Sequence, residues 1–197
     1  MMHADVGFQA LRLSLRDDVT LFLFTVRHHG PVPTDDRAAQ QALLRTRLAD
    51  TGWETPAMLE LMPQAPTFYF DAVSQIRMPS WTRGRVALVG DAGACPSFLA
   101  GQGSALAMVE SYTLAAELIR CNDHSAAFAR YHQRLAPLLR SKQDAATGLG
   151  LAFAPKNNLQ LLVRNTVMRL MGLPKVADLV MGRSFRDAVE LPTFAAA

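Results

Sequence analysis

The clearest alternation of apolar and polar positions lies near the start of the chain. From Phe8 to Arg16, Leu11, Leu13 and Leu15 alternate with Arg12, Ser14 and Arg16, the period-two pattern of a half-buried strand. Asp17-Asp18 turns the chain, and Val19 to Val26 reads as a second strand, apolar on both faces. An isolated hairpin is marginal in water, so the pair is expected to belong to a larger antiparallel sheet. After the loop His28-His29-Gly30-Pro31-Val32-Pro33, Thr34 reads as the cap of a helix running to about Asp50. Asp35 and Asp36 favour that helix N-terminus and Gly52 stops it. A shorter helix follows Pro56 to about Leu61, and Thr67 to Met78 reads as a strand anchored by Phe68, Phe70, Val73 and Ile76.

The middle of the chain has a different grammar. Val86, Ala87, Leu88 and Val89 form an unbroken apolar run, as in a strand buried on both faces. Gly90 ends it and Asp91 stands where the chain leaves the sheet. A loop bearing Pro96 follows, then Gly101-Gln102-Gly103 opens an apolar helix to about Ile119. The first-turn amides of such a helix lack intrahelical partners and carry the positive end of its dipole, so they suit negatively polarised groups. Asn122 to Ser125 is a linker that caps the next helix, where Phe128, Tyr131, Leu135, Leu138 and Leu139 recur at helical spacing. Pro137 should kink or interrupt it. Two further helices are expected, at about Asn158 to Met171 and Lys175 to Arg183.

Composition narrows the function classes. The chain has 197 residues, half of them hydrophobic and 19 % charged, which describes a globular protein. No apolar run approaches the roughly 20 residues of a membrane span. Nor does Met1-Met2-His3-Ala4-Asp5 resemble a signal peptide, so the cytoplasm is the expected compartment. Cys95 and Cys121 give neither a disulfide framework nor metal spacing, and the adjacent histidines read as loop residues. Net charge is +3, with ten basic residues against four acidic ones from Ala126 onward. No Lys/Arg cluster exceeds two, so this reads as a solvated helical face, and nucleic acid is not an expected partner.

The stretch from Arg85 to Leu118 is similar to the second flavin-binding motif of the FAD-dependent aromatic hydroxylases related to p-hydroxybenzoate hydroxylase. Gly90-Asp91-Ala92, Pro96, Gly101-Gln102-Gly103 and the Ala/Leu-rich helix carry the resemblance. It implies that Gly90 and Asp91 lie at the cofactor, with the Asp91 carboxylate on the ribityl chain of FAD. Pro96 would line the ring pocket, and the backbone of Gly101, Gln102, Gly103, Ser104 and Ala105 would meet the pyrimidine edge of the isoalloxazine. It further implies NAD(P)H as electron donor and hydroxylation of an aromatic or polycyclic small molecule through a flavin C4a-hydroperoxide. Phe22 and Phe24 would then either face such a substrate or belong to the core. No side chain is nominated as a catalytic acid or base, because in this chemistry the protein orients, excludes water and stabilises charge. No metal is implied.

The turn G-x-G-x-x-G, which holds the ADP half of FAD in that family, does not occur in the sequence. The chain is therefore expected to represent the C-terminal half of such a flavoprotein, an α/β (α+β) fold with an incomplete FAD-binding region. Residues 1–80 would form a substrate-type sheet with helices, 81–122 the flavin motif and 123–197 the C-terminal helices. The strand at Val86 to Val89 would lack its neighbours, leaving an edge for a second copy or an N-terminal half to cover, or else a rearranged fold. A second reading, from a different class, is a flavin-free remnant or interaction domain. Ala94 and Ala105 speak for it, where the family often has His and Asn.

Overall fold

The computed structural model describes residues 1–173 and 191–192, and divides into two compact units. One takes Met1–Ala72 and returns from Gly150 onward; the other takes Val73–Leu149. The helix expected at Lys175 to Arg183 lies outside the described residues.

The first unit is built on a three-stranded antiparallel sheet, β1 (Met2–Asp5), β2 (Phe8–Ser14) and β3 (Thr20–Val26), in that order. The expected hairpin is present, with Phe8 opposite Val26 and Ala10 opposite Phe24. Asp17 and Asp18 both turn at positive φ, which Asp tolerates better than most residues. Strand β1 was not expected; its backbone pairing with β2 places it there. The sheet face carrying Phe8, Ala10, Phe24 and Val26 packs with Leu44 and Leu48 of α1 (Arg37–Arg47) and its C-cap, and with Leu59 of α2 (Thr55–Leu61) and Met62. Phe24 is thus a core residue.

Helix α1 starts later than its sequence suggests. Asp36, not Thr34, is the cap, its Oδ1 accepting the Ala39 amide at 3.0 Å, while the Thr34 hydroxyl donates to Asp35. The helix closes at Leu48, whose amide reaches the Leu44 carbonyl, four residues before Gly52.

The stretch Thr67 to Met78 forms no strand. Its two halves serve different units: Phe68 and Phe70 pack on the first core, whereas the Ile76 amide goes to the Cys95 carbonyl in the second. The Ile76 carbonyl accepts from the Gln143 side chain, so side chain and loop take the groups that a ladder would have used.

In the second unit the apolar run Val86 to Val89 contributes only Val86–Ala87 to a strand, β5. Its partner is β4 (Thr82–Arg83), antiparallel, and Val86 is 61 % exposed. The expectation of a strand buried on both faces is corrected here: an apolar run needs partner strands to become an interior strand, and among the described residues only β4 pairs with it. After Gly90 comes a four-residue helix, α3 (Asp91–Ala94), where a loop was expected, then a 3-10 turn at Phe98–Ala100 and α4 (Gly103–Arg120). Helix α5 (His124–Phe153) is capped by Asp123, which accepts the Ala126 amide. It continues unbroken through Pro137. Pro137 and Gln133 are both exposed, so the Gln133 carbonyl left without a donor faces the hydrated side. Trp81, Ala94, Leu106, Tyr131, Leu135, Ala136 and Leu139 form this unit's core. Helix α6 (Asn158–Met171) belongs to the first unit; its Arg164 reaches the buried Gln9 of β2 at 2.8 Å.

Candidate functional site

The geometry of the Gly-Asp turn follows from one backbone conformation. Gly90 has φ 66° and ψ −140°, a region closed to most side chains. A Cβ added there would also come to 3.1 Å from the Ala107 Cβ on α4. The turn therefore lies directly on the helix, and only glycine fits. Beside it, the exposed Asp91 begins α3, and its Oδ1 stands 3.5 Å from where a Cβ on Gly103 would be. A Cβ at position 103 would rest in ordinary van der Waals contact with that carboxylate.

Gly101 adopts the left-handed conformation, φ 63°, closing the 3-10 turn with its amide on the Phe98 carbonyl. Nothing lies within 4 Å of a Cβ built on it, so its backbone is open to approach. Gln102 occupies the cap position of α4, yet its side chain makes no capping bond. Ser104 and Ala105, on the first turn, are exposed. Asp91, Gly101, Gln102, Gly103, Ser104 and Ala105 thus meet at one helix mouth. Pro96 is buried, and its carbonyl accepts from the Gln75 side chain at 2.8 Å. Gly90 is buried behind the turn.

The chemistry of this mouth is two-sided. A carboxylate can only accept hydrogen bonds, and it partly offsets the positive end of the helix. The free amides can only donate. A ligand that fits presents hydroxyl donors to Asp91 and carbonyl acceptors to the amides. A simple anion matches the amides alone. Glycine at 101 and 103 and the uncapped first turn are compatible with a flavin, whose ribityl hydroxyls and pyrimidine carbonyls have this pattern.

Sequence reasoning missed two features. Ser97 is buried at φ 105°, ψ 146°, a region almost confined to glycine, with its Oγ accepting the Leu99 amide. Glu110 lies inside α4 at 2 % exposure and accepts the Gly90 amide at 2.7 Å and the Tyr131 hydroxyl at 3.3 Å through one oxygen. Its neighbour Ser111 is exposed, and its hydroxyl donates to the Ala107 carbonyl. The available signal was an acidic residue on the same helix face as Leu106 and Thr113. Burial raises the Glu110 carboxyl above its ordinary range, against the lowering effect of the Gly90 amide and Tyr131. Burial likewise raises the Tyr131 hydroxyl. The Cys95 thiol is raised by burial and by Asp91, which holds it in the unreactive form.

No family model matches the chain. A flavin-dependent monooxygenase from an unidentified prokaryote is 42 % identical over 162 residues, covering 81 % of this chain and 40 % of that protein. A flavin-dependent monooxygenase of Legionella longbeachae serogroup 1 (strain NSW150) is 41 % identical over 161 residues, 81 % of this chain and 39 % of that one. The crystal structure of tetracycline destructase Tet(55) matches with a TM-score of 0.79 at 34 % identity, over 98 % of this chain and 50 % of its own. The chain belongs to the flavin-dependent monooxygenases, and it spans about two-fifths of the length of the curated relatives it matches.

Proposed function

We propose that this chain supplies the flavin-ring side of an FAD-dependent monooxygenase that hydroxylates an aromatic or polycyclic small molecule, with NAD(P)H as electron donor. The observation that carries the reading is the Asp91 carboxylate set against Gly103 at an α4 mouth that Gln102 leaves uncapped. Asp91 would accept from the ribityl hydroxyls. The backbone of Gly101 to Ala105 would donate to the pyrimidine edge, with Gly90 holding the turn and Pro96 behind the ring pocket. Bound there, the flavin would supply the oxygen activation and hydride acceptance that no side chain of the chain provides. The relatives' names support a flavin, and the destructase's name supports a polycyclic substrate class.

The rest of the cofactor site would come from a second polypeptide or polypeptide region carrying the ADP-binding turn. Support comes from the apolar surface of this unit: Met108 (72 %) and Ile119 (62 %) on α4 are exposed, as is Val86 on β5. Self-association is the other way to cover that surface. Among the described residues no helix is long and apolar enough to cross a membrane. The reading takes the enzyme to be a cytoplasmic NAD(P)H-dependent hydroxylase.

The test is spectroscopic. The purified chain, alone and co-expressed with a polypeptide bearing the G-x-G-x-x-G turn, is incubated with FAD, desalted and scanned in the visible. Retained flavin absorbance, lost in Asp91→Ala, is expected. A protein that stays colourless in both forms overturns the proposal and leaves the flavin-free reading.

A further inference from the structure

One helix grips the Gly-Asp turn at three successive heights. Gly103 opens α4 beside the Asp91 carboxylate, Ala107 meets Gly90 one turn further, and Glu110 takes the Gly90 amide nearly one turn beyond that. At about 1.5 Å per residue, these contacts run along about 10 Å of helix. The last of them is the strongest in kind: a buried carboxylate accepting a backbone amide at 2.7 Å. A side-chain carboxylate 20 residues away in sequence thus fixes the amide immediately before Asp91.

The same oxygen is 3.3 Å from the Tyr131 hydroxyl on α5, which also donates to the Leu88 carbonyl at 3.0 Å. Tyr131 itself is fully buried against Trp81. The apolar segment leading out of β5, the turn and two helices therefore meet at a single carboxylate. Without it, the Gly90 amide would be a buried donor with no acceptor, and such groups relax by moving.

We infer that Glu110 is the positioning residue of the cofactor mouth: by holding the Gly90 amide and the Tyr131 hydroxyl, it locks the Gly90–Asp91 turn on α4 and so sets where the Asp91 carboxylate stands. Glu110 touches neither flavin nor substrate in this role. Its connection to FAD rests on the reading given above; the locking of the turn does not.

The role needs an acceptor of the right reach, not a charge. A glutamine keeps the reach: its carbonyl oxygen can accept from both Gly90 and Tyr131, as the one carboxylate oxygen does. An aspartate keeps the charge but falls one methylene short. The full chain is prepared as wild type, Glu110→Gln and Glu110→Asp. Amide hydrogen exchange is followed at Gly90 and, as a control for the core, at Leu135. FAD affinity is measured by quenching of flavin fluorescence. Loss of one well-placed hydrogen bond is expected to speed Gly90 exchange and weaken FAD binding in Glu110→Asp by about tenfold each. Leu135 exchange should hold, and Glu110→Gln should restore both readouts to within about threefold of wild type.

The inference is overturned if Gly90 exchanges equally slowly in all three proteins, or if Leu135 accelerates along with it. It is also overturned if FAD binds the aspartate variant as tightly as the wild type. A wild type that binds no FAD, alone or with the co-expressed polypeptide, overturns the functional reading, and the exchange comparison alone then decides for or against the lock.

Discussion

Two apolar runs of the chain look alike and end differently. Val19 to Val26 delivers a seven-residue strand, Thr20–Val26, paired along its whole length with β2. Val86 to Val89 delivers two residues of strand, paired with a two-residue neighbour, and leaves Val86 in the open. The difference is not propensity, since both runs are rich in β-branched and large apolar side chains. The first has a hairpin partner six residues away and two helices to bury its face. The second is bounded by Gly84, at φ 57°, and Gly90, at φ 66°, and only β4 pairs with it among the described residues. What the proposed site uses in the second unit is not the strand but the glycine that follows it.

That contrast can be broken by mutation. Phe8→Ala, in the β2 core, should cost about 3–5 kcal/mol, read as a lowered denaturant midpoint. An effect under about 1 kcal/mol there would remove the distinction between a packed strand and an exposed one. Gly90→Ala comes next: forcing a Cβ into the left-handed region costs about 1–2 kcal/mol before the crowding against Ala107 is added. It should also abolish any flavin binding while the first unit's hairpin, followed by exchange at Ala10, remains protected.

A third prediction concerns pH. The Glu110 carboxyl is raised above its ordinary 4.5 by burial, so the folded state holds that proton more tightly than the unfolded chain. Stability from this group is fully present below about pH 4.5 and declines as pH rises through the raised folded value. Glu110→Gln cannot ionise. Its stability relative to wild type should therefore improve with rising pH across that window, in paired urea titrations at several pH values. A flat difference would mean that Glu110 is not buried as described. The smallest effect belongs to Val86→Thr, expected within about 0.5 kcal/mol because the side chain is exposed. A larger loss, appearing only with a co-expressed partner, would identify Val86 as part of a covered surface.

Much of this was legible in the residues. The β2–β3 hairpin, the short helix after Pro56, the helix at Asn158 to Met171 and the helix opened by Gly101-Gln102-Gly103 all stand at or near their expected bounds. Each is specified locally, by alternation, by a cap or by a glycine that stops or starts a helix. The failures share a cause. Thr34 lost the cap position to Asp36 because the turn before α1 is held from further along: the Gln40 side chain donates to the carbonyls of Pro33 and Thr34. Thr67 to Met78 has the residues of a strand, but its hydrogen bonds were claimed by Cys95 and Gln143.

The sequence by itself determined the glycine and aspartate positions of the candidate site, because φ > 0 and close approach to a helix admit few other residues. It determined the sheet's hairpin through its period of two. Only the tertiary structure decided that Glu110, one helix face among several, would be the carboxylate that meets Gly90. It also decided that the Val86 run would stop after two residues. Both outcomes turn on which backbone groups find partners across long sequence separations, and no local pattern of side chains encodes that choice.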